Sequence, residues 1–305
     1  SEQVCYMVLS PDYRCGYVTI TGRPNVGKST LLNRILGQKI SITSRKPQTT
    51  RWHLLGIKTD DKSQVIYVDT PGLQKSPQRA INRYMNREAV NSIAHVDVLI
   101  FMIEIMVWNE LDSYVLDLIC NKSVPVILVL NKADKLKDKR AMLPFIDEIS
   151  SRMSFAGVFP VSATKGDNVD ELQETIKTLL PIAPPVFPEN QLTDRNERFF
   201  AAEFIREKLT GKLGDEIPYR LAVTIDQFRH RDKVLHIYAT IWVERQGQKK
   251  IVIGENGKIL KSVGEQARKD MESMFGCKVF LQTWVRIKRR WDDNEQALKQ
   301  FGYEN

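Results

Sequence analysis

The sequence predicts an α/β domain with a mostly parallel sheet, followed by a smaller α+β domain. In residues 15–180, short apolar runs alternate with segments of helical periodicity, which is typical of a parallel sheet with helices on both faces. Four prolines then interrupt both patterns, at Pro181, Pro184, Pro185 and Pro188. Beyond them the order becomes helix, strand, strand, short helix, helix and strand, which indicates a second domain.

Each strand of the first domain is predicted from an apolar run, and each helix from apolar residues three or four apart. The predicted strands are Tyr17–Thr21, Val65–Val68, a run within Val96–Val107, Val124–Leu130 and Val158–Val161. Helical spacing is found at Leu31, Leu32, Ile35 and Leu36, and again over Val169–Leu180. Because ligands of open parallel sheets bind at the carboxyl ends of the strands, the residues that follow these runs are candidates for a site.

The second domain shows two long helical patterns and three alternating ones. Helical spacing predicts helices over Arg195–Leu213 and Ile259–Met274, and alternation predicts strands at Leu221–Ile225, Leu235–Val243 and Val279–Ile287. The resulting domain organisation has four parts. They are an N-terminal segment over 1–14 with no assigned role, a first domain over 15–180, a stiff proline-rich linker over 181–190 and a second domain over 191–305.

Composition narrows the class of protein. The 305 residues are 42% hydrophobic and 27% charged, which is ordinary for a globular chain. No apolar run reaches the roughly 18–20 residues that span a membrane, and we expect no signal peptide. The four cysteines show no paired spacing, so we expect reduced thiols in a cytoplasmic protein. A formal charge of +8 favours a polyanionic partner without identifying it.

The segment Gly22-Arg-Pro-Asn-Val-Gly-Lys-Ser29 follows the first predicted strand and opens the first predicted helix. It fits the pattern G-x-x-x-x-G-K-[ST], in which glycines let the backbone curl so that its N–H groups converge on phosphates. Lys28 is expected to neutralise the β- and γ-phosphates, and the Ser29 hydroxyl to ligate Mg²⁺. The predicted nucleotide contacts in this segment are Gly22, Asn25, Val26, Gly27, Lys28, Ser29 and Thr30.

A second motif, Asp69-Thr-Pro-Gly72, ends the next predicted strand. Asp69 is placed to hold the metal ion through a water molecule. Gly72 can turn its peptide toward a γ-phosphate and so respond to its presence. We therefore expect Gly72 to respond to the presence of the γ-phosphate and Asp69 to serve the metal ion.

Two later motifs identify the base as guanine. In Asn131-Lys132-Ala133-Asp134, the two carboxylate oxygens of Asp134 can accept hydrogen bonds from guanine N1–H and the 2-amino group. Adenine lacks this pair of donors, so Asp134 selects GTP and GDP over adenine nucleotides. In Ser162-Ala163-Thr164, the N–H of Ala163 is a candidate donor to guanine O6. The predicted base contacts are Asn131, Lys132, Asp134, Ser162 and Ala163.

Another candidate site lies in the second domain, between its short helix and its long one. Gly254-Glu-Asn-Gly257 is a G-x-x-G loop, and glycines at both ends let the backbone approach a phosphodiester chain closely. Lysines flank the loop, and the order of helices and strands resembles that of a KH RNA-binding module. The alternative is a helix-capping turn with a solvated charged face. The predicted RNA-binding residues are Arg245, Lys249, Lys250, Ile253, Gly254, Glu255, Asn256, Gly257, Lys258 and Lys261.

Three tryptophans lie near these segments, and we assign them to the core or its rim rather than to base stacking. They are Trp242, Trp284 and Trp291.

Taken in order, these segments resemble the Era family of bacterial GTPases over nearly the whole chain, from Cys15 to Tyr303. The diagnostic segments are Gly22–Thr30, Ser44–Arg51, Asp69–Leu73, Val243–Lys250, Trp291–Leu298 and Gly302-Tyr303. The resemblance implies a Ras-like P-loop GTPase domain with a mostly parallel sheet, followed by a KH domain. It further implies binding to the 3′ end of 16S ribosomal RNA, maturation of the 30S ribosomal subunit and peripheral contact with the inner membrane. We expect the chain to act as a monomer.

The resemblance also bears on hydrolysis. Leu73 stands where Ras-like enzymes carry a Gln that orients water, and leucine cannot form that hydrogen bond. In related GTPases an Asn at the position of Asn25 helps to bind K⁺, which implies slow, K⁺-stimulated hydrolysis; the alternative is that Asn25 only stabilises its loop. Thr49 or Thr50 is the expected switch ligand of Mg²⁺, and we favour Thr50. The residues assigned to catalysis are Asn25, Lys28, Thr50 and Gly72.

Two other functions remain open at this stage. One is an RNA chaperone whose nucleotide state switches RNA binding and whose turnover is incidental. The other is a nucleotide-switched regulator at the membrane surface, with incidental RNA binding. A ribosome factor with two GTPase domains is not favoured, because the sequence contains one set of nucleotide motifs.

Overall fold

A computed structural model describes residues 10–43, 50–73, 79–214 and 221–294, together with 296, 298 and 301. Within these residues the chain forms two compact units. The first contains the described parts of 1–38, 53–73 and 89–194, and the second contains those of 39–52, 74–88 and 195–305. None of the helices described is long and apolar enough to cross a membrane.

A six-stranded sheet forms the centre of the first unit. Its strands are β1 (Arg14–Thr21), β2 (Leu54–Thr59), β3 (Ser63–Asp69), β4 (Val98–Glu104), β5 (Val126–Asn131) and β6 (Gly157–Pro160). The strand order is β2-β3-β1-β4-β5-β6, and every pair is parallel except β2 with β3. The helices are α1 (Lys28–Leu36), α2 (Ala80–Ala94, of which 80–88 belong to the second unit), α3 (Glu110–Ile119), α4 (Met142–Ser150) and α5 (Val169–Leu179).

The central strands are buried on both faces, which is why they are continuous apolar runs in the sequence. Residues 98–103 of β4 and 127–130 of β5 are each fully buried. The predicted strands within Val96–Val107 and Val124–Leu130 are therefore confirmed, and so is the mostly parallel sheet. The edge strand β2 was not predicted, because its position depends on antiparallel pairing with β3 rather than on an apolar run.

The proline-rich segment lies against the first unit. The buried side chain of Gln64 accepts hydrogen bonds from the N–H groups of Val186 (2.8 Å) and Phe187 (2.9 Å) and donates to the carbonyl of Phe187 (2.8 Å). Further along, the N–H of Ile57 donates to the carbonyl of Leu192 at 2.8 Å. Because of these bonds the first compact unit continues to residue 194, past the predicted end of the linker at 190.

The second unit has a three-stranded sheet with helices packed against it. Its elements are α6 (Glu197–Lys212), β7 (Leu221–Arg231), β8 (Val234–Val243), α7 (Gln246–Ile253), α8 (Lys258–Phe275) and β9 (Lys278–Ile287). The helices α6, α7 and α8 pack against one face of the sheet. β7 and β8 are antiparallel, β8 and β9 are parallel, and β9 lies at one edge. Alternate residues of β8 fill the core, which also contains one side of α8. The predicted order of helices and strands is confirmed.

Candidate nucleotide-binding and nucleic-acid-binding sites

The loop between β1 and α1 is curled by residues in left-handed backbone conformations. Gly22, Asn25 and Gly27 have φ values of 151°, 65° and 109°. A Cβ atom at Gly22 would lie 2.3 Å from the carbonyl oxygen of Met102, and one at Gly27 would lie 2.2 Å from Nδ2 of Asn131. Both glycines are thus required by conformation and by close packing. The loop leads directly into α1, whose first N–H groups form the expected anion-binding end of a helix.

Lys28, the first residue of α1, is buried beneath this loop. Its Nζ atom donates to the carbonyl oxygens of Gly22 and Arg23, each at 3.0 Å. Burial lowers the pKa of Lys28 to about 8; Asp69 acts to raise it and Arg23 acts to lower it. The ammonium group is therefore held within the loop at an energetic cost, which an anionic ligand would offset.

Ser29 and Asp69 bring two oxygen atoms together beside the loop. The Ser29 hydroxyl donates to Oδ2 of Asp69 at 3.0 Å, and Asp69, the last residue of β3, is fully buried. Hydroxyl and carboxylate oxygens are ligands that Mg²⁺ prefers, so this pair fits the predicted metal site. Thr30 follows in the first turn of α1 and is partly buried.

The segment after β3 packs against the phosphate loop. A Cβ atom at Gly72 would lie 2.9 Å from the backbone nitrogen of Pro24, so this contact requires glycine. The next residue, Leu73, is buried in an apolar cluster that includes Leu99 and Phe101. The Leu73 side chain therefore belongs to the core.

Asn131, at the end of β5, joins two of the predicted loops. Its Nδ2 atom donates to the carbonyl of the buried Val26 at 2.6 Å, and its Oδ1 atom accepts from the N–H of Ala163 at 3.0 Å. The predicted bond from Ala163 N–H to guanine O6 stays a prediction, because that N–H already donates to Asn131 in this structure. Ser162 is buried, and its hydroxyl accepts from the N–H of Lys165 at 3.2 Å.

Asp134 and Lys132 differ in their surroundings. Asp134 is exposed, and its carboxylate has no hydrogen bond or ion pair within the described residues. Lys132 has a positive φ of 66°, and its Nζ atom donates to Glu104 Oε2 at 2.6 Å. Asp134 thus presents two acceptor oxygens to solvent, as base recognition requires.

Glu104 was not among the residues predicted from the sequence. This residue ends β4, and its carboxylate pairs with Lys132, with Lys135 at 3.2 Å and with Arg23 at 3.5 Å. Burial acts to raise the pKa of Glu104, but the hydrogen bonds from Lys132 and Lys135 outweigh it and hold the pKa below its usual value. An available signal was its position at the carboxyl end of a buried strand, like that of Asp69 and Asn131.

Arg34 was also missed. It lies in the last turn of α1, and its guanidinium donates to the carbonyl oxygens of Ala163 (3.3 Å) and Thr164. Arg34 therefore holds the loop that follows β6. No motif marks it, because its target is brought close only by the fold.

The predicted switch ligands are described only in part. Thr50 is a partly buried residue of the second compact unit, and its assignment to Mg²⁺ stays a prediction. Thr49, with the rest of 44–49, lies outside the described residues. Arg51 is buried and donates to the carbonyl of Leu221 at 2.8 Å.

The two glycines of the G-x-x-G loop have different surroundings. Gly254 and Gly257 have φ values of 74° and 75°, and Asn256 between them has 49°. A Cβ atom at Gly254 would lie 2.6 Å from Cγ1 of Ile259, whereas one at Gly257 would meet nothing within 4 Å. Gly254 is thus needed for packing inside the protein, and Gly257 leaves its backbone open to an approaching ligand.

A groove with a volume of about 440 Å³ begins at Gly257 and follows α8 along β9. Its lining residues are Gly257, Leu260, Lys261, Gly264, Glu265, Arg268, Leu281 and Thr283. Of the predicted RNA-binding residues, Gly257 and Lys261 line it. Five others are exposed: Glu255, Asn256 and Lys258 in or next to the loop, Lys250 on α7, and Arg245 just before α7. Two are partly buried, namely Ile253 and Lys249. The other lining residues were not predicted from the sequence, because α8 and β9 come together only when the chain folds.

This fold and these sites define a class: a guanine-nucleotide-binding P-loop domain joined to a KH domain. A family model described as a 50S ribosome-binding GTPase matches residues 17–132, and a KH domain model matches 216–292. The chain is 51% identical to GTPase Era of Marinobacter nauticus over 96% of both chains. It is 53% identical to GTPase Era of Coxiella burnetii over 97% of this chain and all of the relative. The chain belongs to the Era family of GTPases.

Solved structures agree with this assignment. A tyrosine-to-alanine variant of Aquifex aeolicus Era bound to GDP and AlF₄⁻ matches with a TM-score of 0.93 and 38% identity. A structure of Era in complex with MgGDPNP and nucleotides 1506–1542 of 16S ribosomal RNA gives the same two values. Each match covers 96% of this chain and all of the other. The predicted combination of a Ras-like P-loop GTPase domain with a KH domain is confirmed.

The burial of Lys28 predicts a pH dependence of stability. Its pKa of about 8 in the folded chain lies below the usual lysine value of 10.5, so the unfolded chain binds more protons between these values. The free energy of unfolding of the nucleotide-free protein should therefore rise with pH across this window, by at most about 1.4 kcal/mol per pH unit. Urea unfolding of wild type and of Lys28→Met measures this dependence of the free energy of unfolding on pH. The difference between the two proteins should change with pH; parallel curves would contradict the burial of a charged Lys28.

Proposed function

We propose that this chain binds the 3′ end of 16S ribosomal RNA in its KH groove and assists maturation of the 30S subunit, as a monomer in the cytoplasm. The observation that carries this proposal is the open groove at Gly257, in a chain that shares its whole fold with the Era solved with 16S ribosomal RNA. This relationship favours the RNA-binding function over the membrane-surface regulator that the sequence left open.

The residues of the nucleotide site are assigned roles as part of this proposal. Backbone N–H groups of residues 25–30 receive the phosphates, and Lys28 neutralises the β- and γ-phosphates. Gly72 contacts the γ-phosphate through its peptide. At the other end, Asn131, Lys132, Ser162 and Ala163 support the base while Asp134 accepts from its edge. The ligands are GTP and GDP.

Mg²⁺ is proposed to be held by Ser29, by Asp69 through water and by Thr50. Ser29 and Asp69 support this assignment because their oxygens are already adjacent, 3.0 Å apart. When bound, the ion neutralises charge that develops on the phosphate oxygens. The chain itself contributes the buried carboxylate of Asp69 and the fixed end of α1.

Hydrolysis needs a route that does not use the residue after Gly72, because Leu73 is buried in the core. Asn25 is exposed in the phosphate loop, with its backbone in a left-handed conformation. An amide oxygen is a suitable ligand for K⁺, which supplies positive charge near the β- and γ-phosphates when bound. We therefore assign Asn25 to a K⁺ site that supports slow turnover.

Asp134 is expected to set base specificity. Asp134→Asn should weaken GTP binding by about 2–4 kcal/mol, because it loses a charge-assisted pair and leaves a donor unsatisfied. The same variant should bind xanthosine triphosphate more tightly, since xanthine carries an oxygen in place of the 2-amino group. Equilibrium titration with both nucleotides measures the exchange. Unchanged GTP affinity would show that Asp134 does not contact the base.

Turnover is expected to depend on K⁺ through Asn25. Wild type should hydrolyse GTP faster in K⁺ than in Na⁺ at equal ionic strength, and Asn25→Ala should lose that advantage while still binding nucleotide. Lys28→Ala is the contrasting variant, because it should lower nucleotide affinity and turnover together. Steady-state phosphate release in the two salts measures the effect. Equal wild-type rates, or a K⁺ advantage in Asn25→Ala, would refute the assignment.

Gly257 is expected to separate RNA binding from GTP hydrolysis. Gly257→Asp should abolish binding to an RNA from the 3′ end of 16S ribosomal RNA, because the carboxylate repels phosphate where the backbone must approach it. Gly257→Asn is the matched control: asparagine tolerates the same left-handed conformation and adds no charge. It should retain more affinity than the Asp variant, and both should hydrolyse GTP at the wild-type rate. Fluorescence anisotropy and phosphate release measure the two activities, and tight RNA binding by Gly257→Asp would contradict the model.

A further inference from the structure

The sheet of the second unit has an outer face, opposite α6 and α8, that carries exposed aromatic side chains. Along β9, Leu281 and Thr283 line the RNA groove, so the residues that alternate with them point to the other face. Two of these, Phe280 and Trp284, are 44% and 38% exposed. Trp284 is therefore outside the core, in agreement with the rim position that the sequence analysis allowed, while Trp291 is fully buried as expected.

These side chains form a continuous row with residues of β8. The rings of Tyr238 and Trp284 are stacked, with centroids 5.9 Å apart and planes inclined by 16°. Phe280 contacts Tyr238 at 6.0 Å and His236 at 5.1 Å. Four rings thus extend across two neighbouring strands on one side of the sheet.

Cationic side chains surround the row. Arg229 on β7 pairs in register with His236, and Lys278 and Arg286 lie on β9 two positions from Phe280 and Trp284, respectively. All three cations are exposed, and Lys278 Nζ also lies 4.0 Å from Oε2 of Glu272 on α8. Among the described residues of these strands, the acidic side chain on this face is Asp226, which accepts a hydrogen bond from the Thr240 hydroxyl at 2.7 Å. The face is therefore both aromatic and positively charged.

One end of the outer face is already covered within the second unit. There Ala222 and Trp242 pack in a cluster with Ala80, Ile81, Tyr84, Met85, Trp291 and Leu298. None of the four aromatic residues at the other end belongs to that cluster.

We propose that this outer face binds single-stranded RNA, with bases stacked on Tyr238, Phe280 and Trp284 and phosphates paired with the flanking cations. Aromatic rings bordered by cations fit single-stranded nucleic acid, since every base has a face that can stack. The site is continuous with the groove, because β9 is the edge strand and contributes residues to both faces. A strand leaving the groove reaches the outer face by passing around β9. This inference rests on the proposed RNA-binding function.

The test uses the full chain and two fluorescently labelled RNAs from the 3′ end of 16S ribosomal RNA. The short one has about four nucleotides, enough to fill a KH groove, and the long one has about 12. Phe280→Ala/Trp284→Ala should weaken the long RNA about tenfold or more and leave the short RNA unchanged. Trp284→Phe, which keeps a ring, should retain most of the affinity. Ile287→Ala, which removes a similarly exposed apolar side chain from the opposite face of the same strand, should bind both RNAs like wild type.

Three outcomes would overturn the proposal. Wild-type affinity of the double variant for the long RNA would show that the face does not bind RNA. Equal losses of affinity for the short and the long RNA would show that the substitutions act on binding in the groove. A change from dimer to monomer in sedimentation would make the face an interface between two copies of the chain. If wild type bound neither RNA, the proposed RNA-binding function itself would fail.

Discussion

The nucleotide site depends on the buried side-chain amide of Asn131. Its two polar atoms satisfy the carbonyl of Val26 and the N–H of Ala163, which belong to loops far apart in the sequence. The same amide leaves no room for a Cβ atom at Gly27. Asn131 therefore fixes the separation between the loop that contains Val26 and the loop that contains Ala163. Each of these two backbone groups would lower the stability by about 1–3 kcal/mol if it were left buried without a hydrogen bond.

Charge in this region is balanced by carboxylates at the ends of strands. Asp69 faces Lys28 and Ser29, and Glu104 faces Arg23, Lys132 and Lys135. Without such partners, several cations close together would repel one another and oppose the compact loop arrangement. Lys28 still has a lowered pKa, so burial outweighs the attraction of Asp69. The site is thus electrostatically prepared for an anion.

In the second unit, the edge strand β9 has two different faces. Toward the helices, Leu281 and Thr283 complete the groove that begins at Gly257. Away from them, Phe280 and Trp284 remain exposed beside Tyr238. Because side chains alternate along a strand, one short segment serves both surfaces. Because β9 lies at the edge of the sheet, no further strand of that sheet separates the groove from the outer face.

The order of elements in the second domain, the phosphate loop and the G-x-x-G loop could be predicted from the sequence, because each depends on local physics. In the first domain, β2 and the helices α2, α3 and α4 were not predicted. Apolar runs must be buried, and residues 22–27 and 254–257 carry the conformational freedom that their turns require. By contrast, no motif marks Arg34, and only its position at the end of a buried strand marks Glu104. Lys132, a partner of Glu104, and Ala163, a partner of Arg34, lie 28 and 129 residues away along the chain.

The tertiary structure alone decided the pairing of the edge strand β2, the bridge made by Asn131, the meeting of α8 with β9 and the exposure of Trp284. Each of these depends on which distant segments pack together. The spacing of apolar residues in the sequence indicates which side chains lie on the apolar face of their own helix or strand. It does not indicate which of those side chains a neighbouring element buries. The sequence by itself therefore determined the two kinds of domain and their binding loops, while long-range packing decided which side chains support those loops and which remain open to a partner.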